Sequence, residues 1–473
     1  MPTHTALPTP ARVHPRRWTA LALICAAQFM LILDVTVVNV ALPAVAADLD
    51  LGRTALTWVV TAYTLCFGGL MLLGGRLADA LGARRVLLTG LALFTAASLA
   101  CGLAPNAAVL LSGRAAQGVG AALLSPAALA LVTTAFHGPE RARALGVWAA
   151  IGGTGSAVGV LLGGALTAGP GWPWIFYVNV PAGLALLATL PRFVPRDPRD
   201  RPTGARGRLD IPGALLVTTA TGALVYGLVR TGGGGWTSPG TLLPLLGAVA
   251  LYAAFAATER RTRTPLMDLR MLTRRPVVAG SLLMLVATAL LISFFFLGSL
   301  RLQRIDGLDA LRTGLLFLPV ALTTAIGAHL GSRLVTTAGP RACAAGGMAL
   351  AAAGCLPLAL LPETADPWTT LLPSLATAAL GLGAVFVTAT TTALGLIPAH
   401  EAGLASGIVN TFHELGGTLG VALASTLALG TGAAGFTTAF TLCALTAATT
   451  ALTAPALIPR GRPRHPGGAH GAH

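Results

Sequence analysis

Residues 18–41 read WTALALICAAQFMLILDVTVVNVA, and a single charge, Asp34, interrupts this apolar run. A membrane-spanning helix needs about 20 consecutive apolar residues, so the stretch is long enough to cross a bilayer. Similar runs recur along the chain of 473 residues. Reading them between charges and Pro or Gly breaks predicts fourteen spans, near 18–41, 55–74, 85–103, 107–134, 144–166, 173–190, 211–230, 241–258, 277–300, 312–332, 341–361, 368–394, 404–429 and 435–458.

The composition indicates the same class of protein. Hydrophobic residues make up 54% of the chain, charged residues only 10%, and the mean hydropathy is +0.76. A soluble domain carries roughly 25% charged residues, and a disordered chain needs low hydrophobicity, so both classes are excluded. A transmembrane β-barrel would show short alternating stretches instead of long apolar runs. The sequence therefore predicts an all-α polytopic protein of the cell membrane, surrounded by a lipid bilayer.

The basic residues predict the orientation of the spans. All 31 are arginines, and the net charge is +15. Their position in short gaps between apolar runs argues against nucleic-acid binding. With the N-terminus inside, 25 of the 31 fall in inside segments and five in outside segments. This asymmetry follows the positive-inside rule and predicts that both termini are cytoplasmic.

Two longer inside loops, 191–210 and 259–276, bracket the seventh and eighth spans. They predict an N-terminal six-helix bundle (1–190), a linker region with two additional helices (191–276) and a C-terminal six-helix bundle with a short tail (277–473). Two six-helix halves are typical of a transporter fold.

A short pattern supports this internal repeat. Residues 76–84 begin with Arg-Leu and end with Gly-Ala-Arg, whereas residues 333–341 begin with Arg-Leu and end with Gly-Pro-Arg at the same spacing. Repetition of a loop at corresponding places in two halves indicates duplicated structural units.

Two carboxylates are predicted to lie inside spans, Asp34 in the first and Glu414 in the thirteenth. A charge at the bilayer centre is costly, so such a residue faces a cavity or a partner. For Asp34 the alternatives are an ion or substrate site and a structural hydrogen bond. Asn410 and His413 lie on a stripe of polar and small residues that Glu414 borders. That stripe lines a cavity or forms a seam for helix packing.

Arg114 is predicted to be the only arginine inside a span, and Gln117 shares its helix face. A buried guanidinium must find acceptors or an anion, and Asp34 is one candidate partner. The alternative is a fixed tether between helix backbones.

Two glycine-containing segments are also informative. Gly155, Gly159 and Gly163 repeat every four residues and predict close packing of the fifth span against another helix. Residues 75–85 are predicted to form a charged loop between the second and third spans, with a tight turn at Gly82. In that loop Asp79 is suited to accept from an arginine or a helix N-terminus, although the charges also serve orientation alone.

The sequence predicts neither an enzyme nor a cofactor or metal site. It contains no GxxxxGK[ST], GxSxG or HExxH motif. The six cysteines fall within apolar runs and form no CxxC pair.

Several stretches together resemble the major facilitator superfamily, and more narrowly its fourteen-helix drug:proton antiporter branch of bacterial multidrug exporters. The stretches that carry this resemblance are Leu33–Pro43, Gly75–Arg85, Leu110–Gly120, Gly155–Gly164, Trp172–Gly183 and Ala405–Gly417. The chain departs from the family pattern at Ala80 and Ala83, which are usually basic, and at Val160, which is usually proline. His413-Glu414 stands where Arg-Gln is common, and Thr336 replaces the acid in the second copy of the loop.

The resemblance implies proton-coupled efflux of small amphipathic compounds, such as drugs or antibiotics, by alternating access in a monomer. The span carboxylates Asp34 and Glu414, with His413 beside Glu414, are predicted to carry the proton coupling. The residues predicted to line the substrate cavity are Asn39, Arg114, Gln117 and Asn410. The gating residues that the resemblance implies are Gly75, Asp79, Gly82, Arg84 and Arg85. An exporter dedicated to one self-made metabolite and a solute importer remain alternatives, whereas the short loops argue against a receptor or scaffold.

Overall fold

The computed structural model describes residues 16–136, 138–194, 210–235, 237–262, 265, 269–360, 366–394, 402–428 and 433–459. Within these residues all regular structure is helical and no strand occurs. The N-terminal helices are α1 (Arg17–Asp48), α2 (Arg53–Leu81), α3 (Ala83–Gly102), α4 (Ala107–Ala135), α5 (Gly138–Ala168), α6 (Trp174–Tyr177) and α7 (Asn179–Phe193).

Two helices follow, α8 (Ile211–Gly234) and α9 (Pro239–Arg261), before a 3-10 turn at Leu269–Thr273. The C-terminal helices are α10 (Arg275–Arg304), α11 (Ala310–Thr337), α12 (Pro340–Leu360), α13 (Leu372–Leu394), α14 (Ala402–Ala428) and α15 (Ala433–Leu457). The order of these helices follows the apolar runs because a chain in lipid must satisfy its backbone hydrogen bonds within each segment.

Ten of the described helical segments are long and apolar enough to cross a membrane. One of them, Trp174–Phe193, consists of α6 and α7 together. Three shorter apolar stretches are Ala55–Met71, Val158–Ala168 and Pro212–Leu228. The polytopic all-α class is thereby confirmed, and the count of fourteen spans stays a prediction.

The predicted loop at residues 75–85 is wrong in extent. Helix α2 continues to Leu81 and α3 begins at Ala83, so Gly82 alone separates them. Gly82 has a φ of +93° and Gly339, its counterpart in the second copy, has a φ of +89°. Charged residues at the membrane surface do not end a helix, and the break occurs only where glycine tolerates a positive φ.

The helices pack in two groups. In the first group α4 lies against α2 and α3, and α1 lies against α5. In the second group α11 and α12 lie against α13, while α10 lies against α13 and α14. The groups meet where α5 contacts α11, α2 contacts α14 and α1 contacts α10. The exact boundaries at residues 190 and 276 stay a prediction.

The two groups are joined at the helix ends that the arginine distribution predicts to be external. Gln303 Nε2 of α10 donates to Val40 O of α1 at 2.8 Å. Gly314 of α11 lies so close to α5 that an added Cβ would be 2.7 Å from Val160 O. Pro43 in α1 cannot donate to the carbonyl four residues earlier, which weakens the helix near this contact. The two groups are therefore in direct contact at these ends.

Candidate functional site

Asp34 lies at the centre of a buried polar cluster in the first group of helices. Its side chain is fully buried on α1. Oδ2 accepts from Arg114 Nη1 at 2.5 Å. Oδ1 accepts from Gln117 Nε2 and from Asn179 Nδ2, both at 3.1 Å. Both carboxylate oxygens therefore have donors, which is the arrangement that a buried anion requires.

Arg114 of α4 reaches acceptors on two neighbouring helices and on its own helix. Besides Asp34, its Nη1 contacts Gln117 Oε1 at 2.8 Å, and its Nε donates to Val59 O of α2 at 2.9 Å. The guanidinium carbon lies 4.4 Å from the ring centroid of Tyr63 and 5.8 Å from that of Phe176. The planar guanidinium thus combines an ion pair, hydrogen bonds and cation–π contacts, a set that lysine cannot reproduce.

Gln117 extends the cluster to α3. Its Nε2 donates to Ser98 Oγ at 2.8 Å, and Ser98 Oγ donates to Phe94 O at 2.8 Å. Five helices of the first group, α1 to α4 and α7, therefore contribute to one network. A hydrogen-bonded network of this kind fixes the relative positions of its helices more firmly than separate pairs would.

The sequence analysis missed two members of this network, Asn179 and Ser98. Asn179 is 1% exposed and Ser98 is fully buried. The signal available for Asn179 was the same as for Asp34, since it is a polar residue in an apolar run and lies in one of the family-like stretches. Ser98 carried no such signal, because serine is common in membrane helices, where it bonds to its own backbone.

The glycines of α5 lie against α1, where they contact residues that come shortly before and shortly after Asp34 in the sequence. An added Cβ at Gly155 would be 2.9 Å from Ile32 Cγ2, and one at Gly163 would be 3.0 Å from Val37 Cα. At Gly159 an added Cβ would overlap Thr36 Oγ1. Small residues at these positions let the backbones of α1 and α5 approach closely.

The second group of helices carries the other ionisable pair. Thr288 Oγ1 lies within hydrogen-bond distance of Met284 O and of His413 Nδ1, at 2.9 Å in both cases. His413 Nε2 lies 4.0 Å from Glu414 Oε1. The Glu414 side chain is 14% exposed and that of His413 is 42% exposed, so solvent or a ligand can reach the pair.

Glu414 also lies at a junction between the two groups. An added Cβ at Gly68 of α2 would be 2.5 Å from Glu414 Cβ of α14. Four residues further along α14, Thr418 Oγ1 donates to Thr64 Oγ1 of α2 at 2.7 Å. Glu414 therefore lies where α2 of one group is in direct contact with α14 of the other.

The structure places the remaining candidate residues on α1, on α14 and at the ends of α2 and α3. Asn39 is buried on α1, and its amide nitrogen donates to Val35 O at 2.8 Å. Asn410 is half-buried on α14, one turn before Glu414. Arg84 Nη2 donates to Pro191 O at 2.9 Å, which holds the start of α3 against the end of α7.

The other gating candidates lie at the same end of the molecule. Gly75 is half-buried near the end of α2, and Arg85 is exposed at the start of α3. Arg76, which shares this segment, donates from Nη2 to Pro265 O beyond α9 at 2.5 Å. Asp79 belongs to α2, but its side chain lies outside the part that the structure describes.

No group of three or more His, Cys, Asp or Glu side chains that could hold a metal ion occurs among the described residues. The six cysteines are free.

Comparison with known proteins identifies the fold and the family. Residues 24–421 match the model of the Major Facilitator Superfamily. The puromycin resistance protein pur8 of Streptomyces alboniger is 44% identical over 426 residues, which cover 89% of this chain and 83% of pur8. The cephamycin export protein CmcT of Amycolatopsis lactamdurans is 38% identical over 421 residues, covering 88% and 86%. The multidrug resistance protein Stp of Mycobacterium tuberculosis is 35% identical over 401 residues, covering 84% and 73%.

Solved structures show the same fold at low identity. The inward-facing, unoccupied structure of a bacterial homologue of the human lysosomal transporter Spinster has a TM-score of 0.64 at 16% identity, covering 94% of this chain and 98% of the other. A mutant of the peptide transporter POT has a TM-score of 0.66 at 16% identity, covering 93% and 96%. With a family match over most of its length and a relative that is 44% identical over 89% of the chain, this chain belongs to the Major Facilitator Superfamily.

Proposed function

We propose that the protein is a secondary transporter that exports small amphipathic compounds, of the antibiotic class, in exchange for protons. Support comes from its relatives, which include resistance and export proteins for puromycin, cephamycin and lincomycin. The sequence contains no nucleotide-binding motif through which ATP hydrolysis would supply the energy for uphill export. Alternating access between the two helix groups, with proton re-entry as the energy source, fits both observations.

The contrast between the two carboxylates carries the proposal. Asp34 is fully buried, both of its oxygens accept hydrogen bonds, and one of them pairs with Arg114. Glu414 is partly exposed and has the imidazole of His413 beside it. Burial disfavours a bare carboxylate, whereas an approaching cation favours it. Glu414 is therefore the proposed site at which substrate and proton compete, with His413 as the neighbouring acceptor.

Asp34 and Arg114 are proposed to hold the helices of the first group in place while substrate and proton exchange at Glu414. Their ion pair holds α1 against α4 and, through Asn179, against α7. Loss of either charge would leave the other buried and uncompensated. We therefore propose that both residues are essential for transport. Asp34 is also proposed to take part in proton coupling, because its contacts change when α1 moves.

The cavity and gating roles complete the proposal. Asn39, Gln117 and Asn410 are proposed to line or border the substrate pathway. Asp79 is proposed to hold one gating state at the cytoplasmic surface. The protein is proposed to work as a monomer in the cytoplasmic membrane, with both termini inside, and to catalyse no reaction on its substrate.

The test is a susceptibility screen in an efflux-deficient bacterial host that expresses the protein. Puromycin, a cephamycin and lincomycin would be tested, together with a hydrophobic cation that is structurally unrelated to them. Resistance that an uncoupler abolishes supports proton-coupled export. A protein that changes no susceptibility and raises the intracellular level of a compound would instead be an importer.

A dedicated exporter is the second candidate. The cephamycin export protein and an actinorhodin transporter of Streptomyces coelicolor, 33% identical to this chain, are each named for one compound. Resistance to a single compound in the screen would favour this candidate, whereas resistance to several unrelated ones would favour a multidrug exporter.

A further inference from the structure

Gln303 lies near the end of α10, where the two groups of helices meet at the ends predicted to be external, here called the outer ends. Its Nε2 donates to Val40 O of α1 at 2.8 Å, so this hydrogen bond runs from one group to the other. The same nitrogen donates to Ser299 Oγ, one turn earlier on α10, at 3.0 Å. The two amide hydrogens of Gln303 are therefore divided between the two groups.

Both acceptors of the Gln303 amide are withdrawn from solvent. Val40 is 1% exposed, Ser299 is fully buried, and Gln303 itself is half-buried. Water has little access to such a bond, so a side chain without a donor at position 303 could not be replaced there by solvent. The hydrogen bond therefore stabilises the contact between α1 and α10 for as long as the two helices stay together.

The neighbouring contact at the outer ends is of a different kind. An added Cβ at Gly314 of α11 would be 2.7 Å from Val160 O and 3.3 Å from Gly164 Cα of α5, so these backbones are held by close packing. Packing of this kind has no preferred direction, whereas a hydrogen bond requires a particular distance and angle. A separation of α1 from α10 by about 1 Å is enough to break the bond from Gln303 to Val40 O.

Separation of the outer ends would not leave the Gln303 amide without a partner. Ser299 belongs to the same helix as Gln303, so its hydroxyl oxygen stays within reach when α1 moves away. The two arrangements therefore differ by about one hydrogen bond at this point. A net hydrogen bond contributes little enough to be broken in every transport cycle, and enough to change the populations of two arrangements of similar free energy.

We propose that Gln303 is a positioning residue that latches the outer ends of the two groups together and releases them when transport opens the pathway to the outside. This inference rests on the proposed alternating access. In the latched arrangement Nε2 donates to Val40 O and to Ser299 Oγ, and in the released arrangement it keeps only Ser299 Oγ. Gln303 contacts neither the substrate nor the transported proton, and it determines how often the outer ends separate.

The test measures the separation of the outer ends directly. After replacement of the six free cysteines, spin labels would be attached at Ala108→Cys of α4 and Arg312→Cys of α11, two exposed positions at the outer ends of different groups. The distribution of distances between the labels would be recorded by electron spin resonance for the parent, for Gln303→Leu and for the control Ser112→Ala. Ser112 of α4 is exposed and donates to Val109 O of its own helix at 3.0 Å, so the control removes a hydrogen bond that stays within one group.

In Gln303→Leu we expect the ratio of long to short distances to rise about three- to tenfold, the factor that one net hydrogen bond carries. Gln303→Glu keeps the shape of the side chain without the amide donor and should shift the ratio in the same direction. Ser112→Ala should match the parent, and thermal unfolding would verify that each variant is folded.

Uncoupler-sensitive efflux of puromycin by the parent would be measured separately, so that the two proposals can fail independently. Distance distributions of Gln303→Leu and Gln303→Glu that equal the parent's, in a protein that exports, overturn the inference and leave the proposed function standing. A parent that exports neither puromycin nor the other compounds of the panel overturns the proposed function.

Discussion

Arg114 is only 1% exposed, and every contact that it makes depends on the shape of the guanidinium as much as on its charge. Its Nη1 contacts both Asp34 and Gln117, whereas its Nε donates to Val59 O. Removing one partner of a buried pair leaves a bare charge, which costs about 3–5 kcal/mol. This residue is therefore the most sensitive point of the first cluster.

For Arg114→Ala we expect loss of efflux, with folding stability reduced by about 3–5 kcal/mol. Arg114→Lys should restore little activity, because an ammonium cannot span the three acceptors. The measurement is uncoupler-sensitive efflux from cells, normalised to the amount of protein in the membrane. Arg312→Ala, a change at an exposed arginine near the start of α11, serves as the matched control. Full efflux by the alanine variant would show that the ion pair is dispensable.

The contact between α1 and α5 determines where α1 places the side chain of Asp34. Alanine normally stabilises a helix relative to glycine by up to about 1 kcal/mol, so the sign of a Gly→Ala change reports on packing. Gly159 has no room for a Cβ beside Thr36, whereas Gly346 of α12 has nothing within 4 Å of the same added atom.

We therefore expect Gly159→Ala to lower stability by about 1–3 kcal/mol and to slow efflux, because the helices must move apart. Gly346→Ala should leave efflux unchanged and stability equal or slightly higher. Thermal unfolding in detergent and efflux from cells would be measured for both. Equal behaviour of the two variants would mean that the close packing of α1 on α5 does not matter for transport.

Helix α8 contacts both groups of helices, through α2 and through α14. Its Thr218 lies against Gly69 of α2, and Leu228 O accepts from Thr426 of α14 at 3.1 Å. Cysteine or alanine substitutions along residues 211–258 should therefore leave the substrate profile unchanged, with effects limited to stability. The measurement is resistance to each compound of the panel for every variant. A set of positions there that substrate protects from thiol labelling would contradict the prediction.

The whole molecule must have one orientation in the membrane, and the arginine distribution predicts it. Single cysteines at Asn106 and at Thr203, which lies outside the described residues, would be introduced after replacement of the six free cysteines. An impermeant thiol reagent should label Asn106→Cys in intact cells and leave Thr203→Cys unlabelled. The opposite pattern would invert the topology.

Much of this architecture could be predicted because bilayer physics restricts a long apolar run to one conformation. The apolar runs predict the class of protein and the order of the helices. The isolated charges predict Asp34 as one candidate partner of Arg114. Asn179 was not predicted as a ligand of Asp34, because which faces meet depends on how the helices pack. The extent of α2 differs from the prediction because the charged residues at its end remain helical and only Gly82 breaks the helix.

The central claim for the whole molecule is that export is coupled to protons through Glu414, with Asp34 holding the structure that makes coupling possible. The most direct measurement is proton release on addition of substrate to the purified parent, Asp34→Asn and Glu414→Gln proteins at weak buffering. Release by the parent, and little or none by Glu414→Gln, is the predicted result. Asp34→Asn should lose uphill transport and retain at most downhill exchange. If both variants release as many protons as the parent, the coupling site lies elsewhere and the account is wrong.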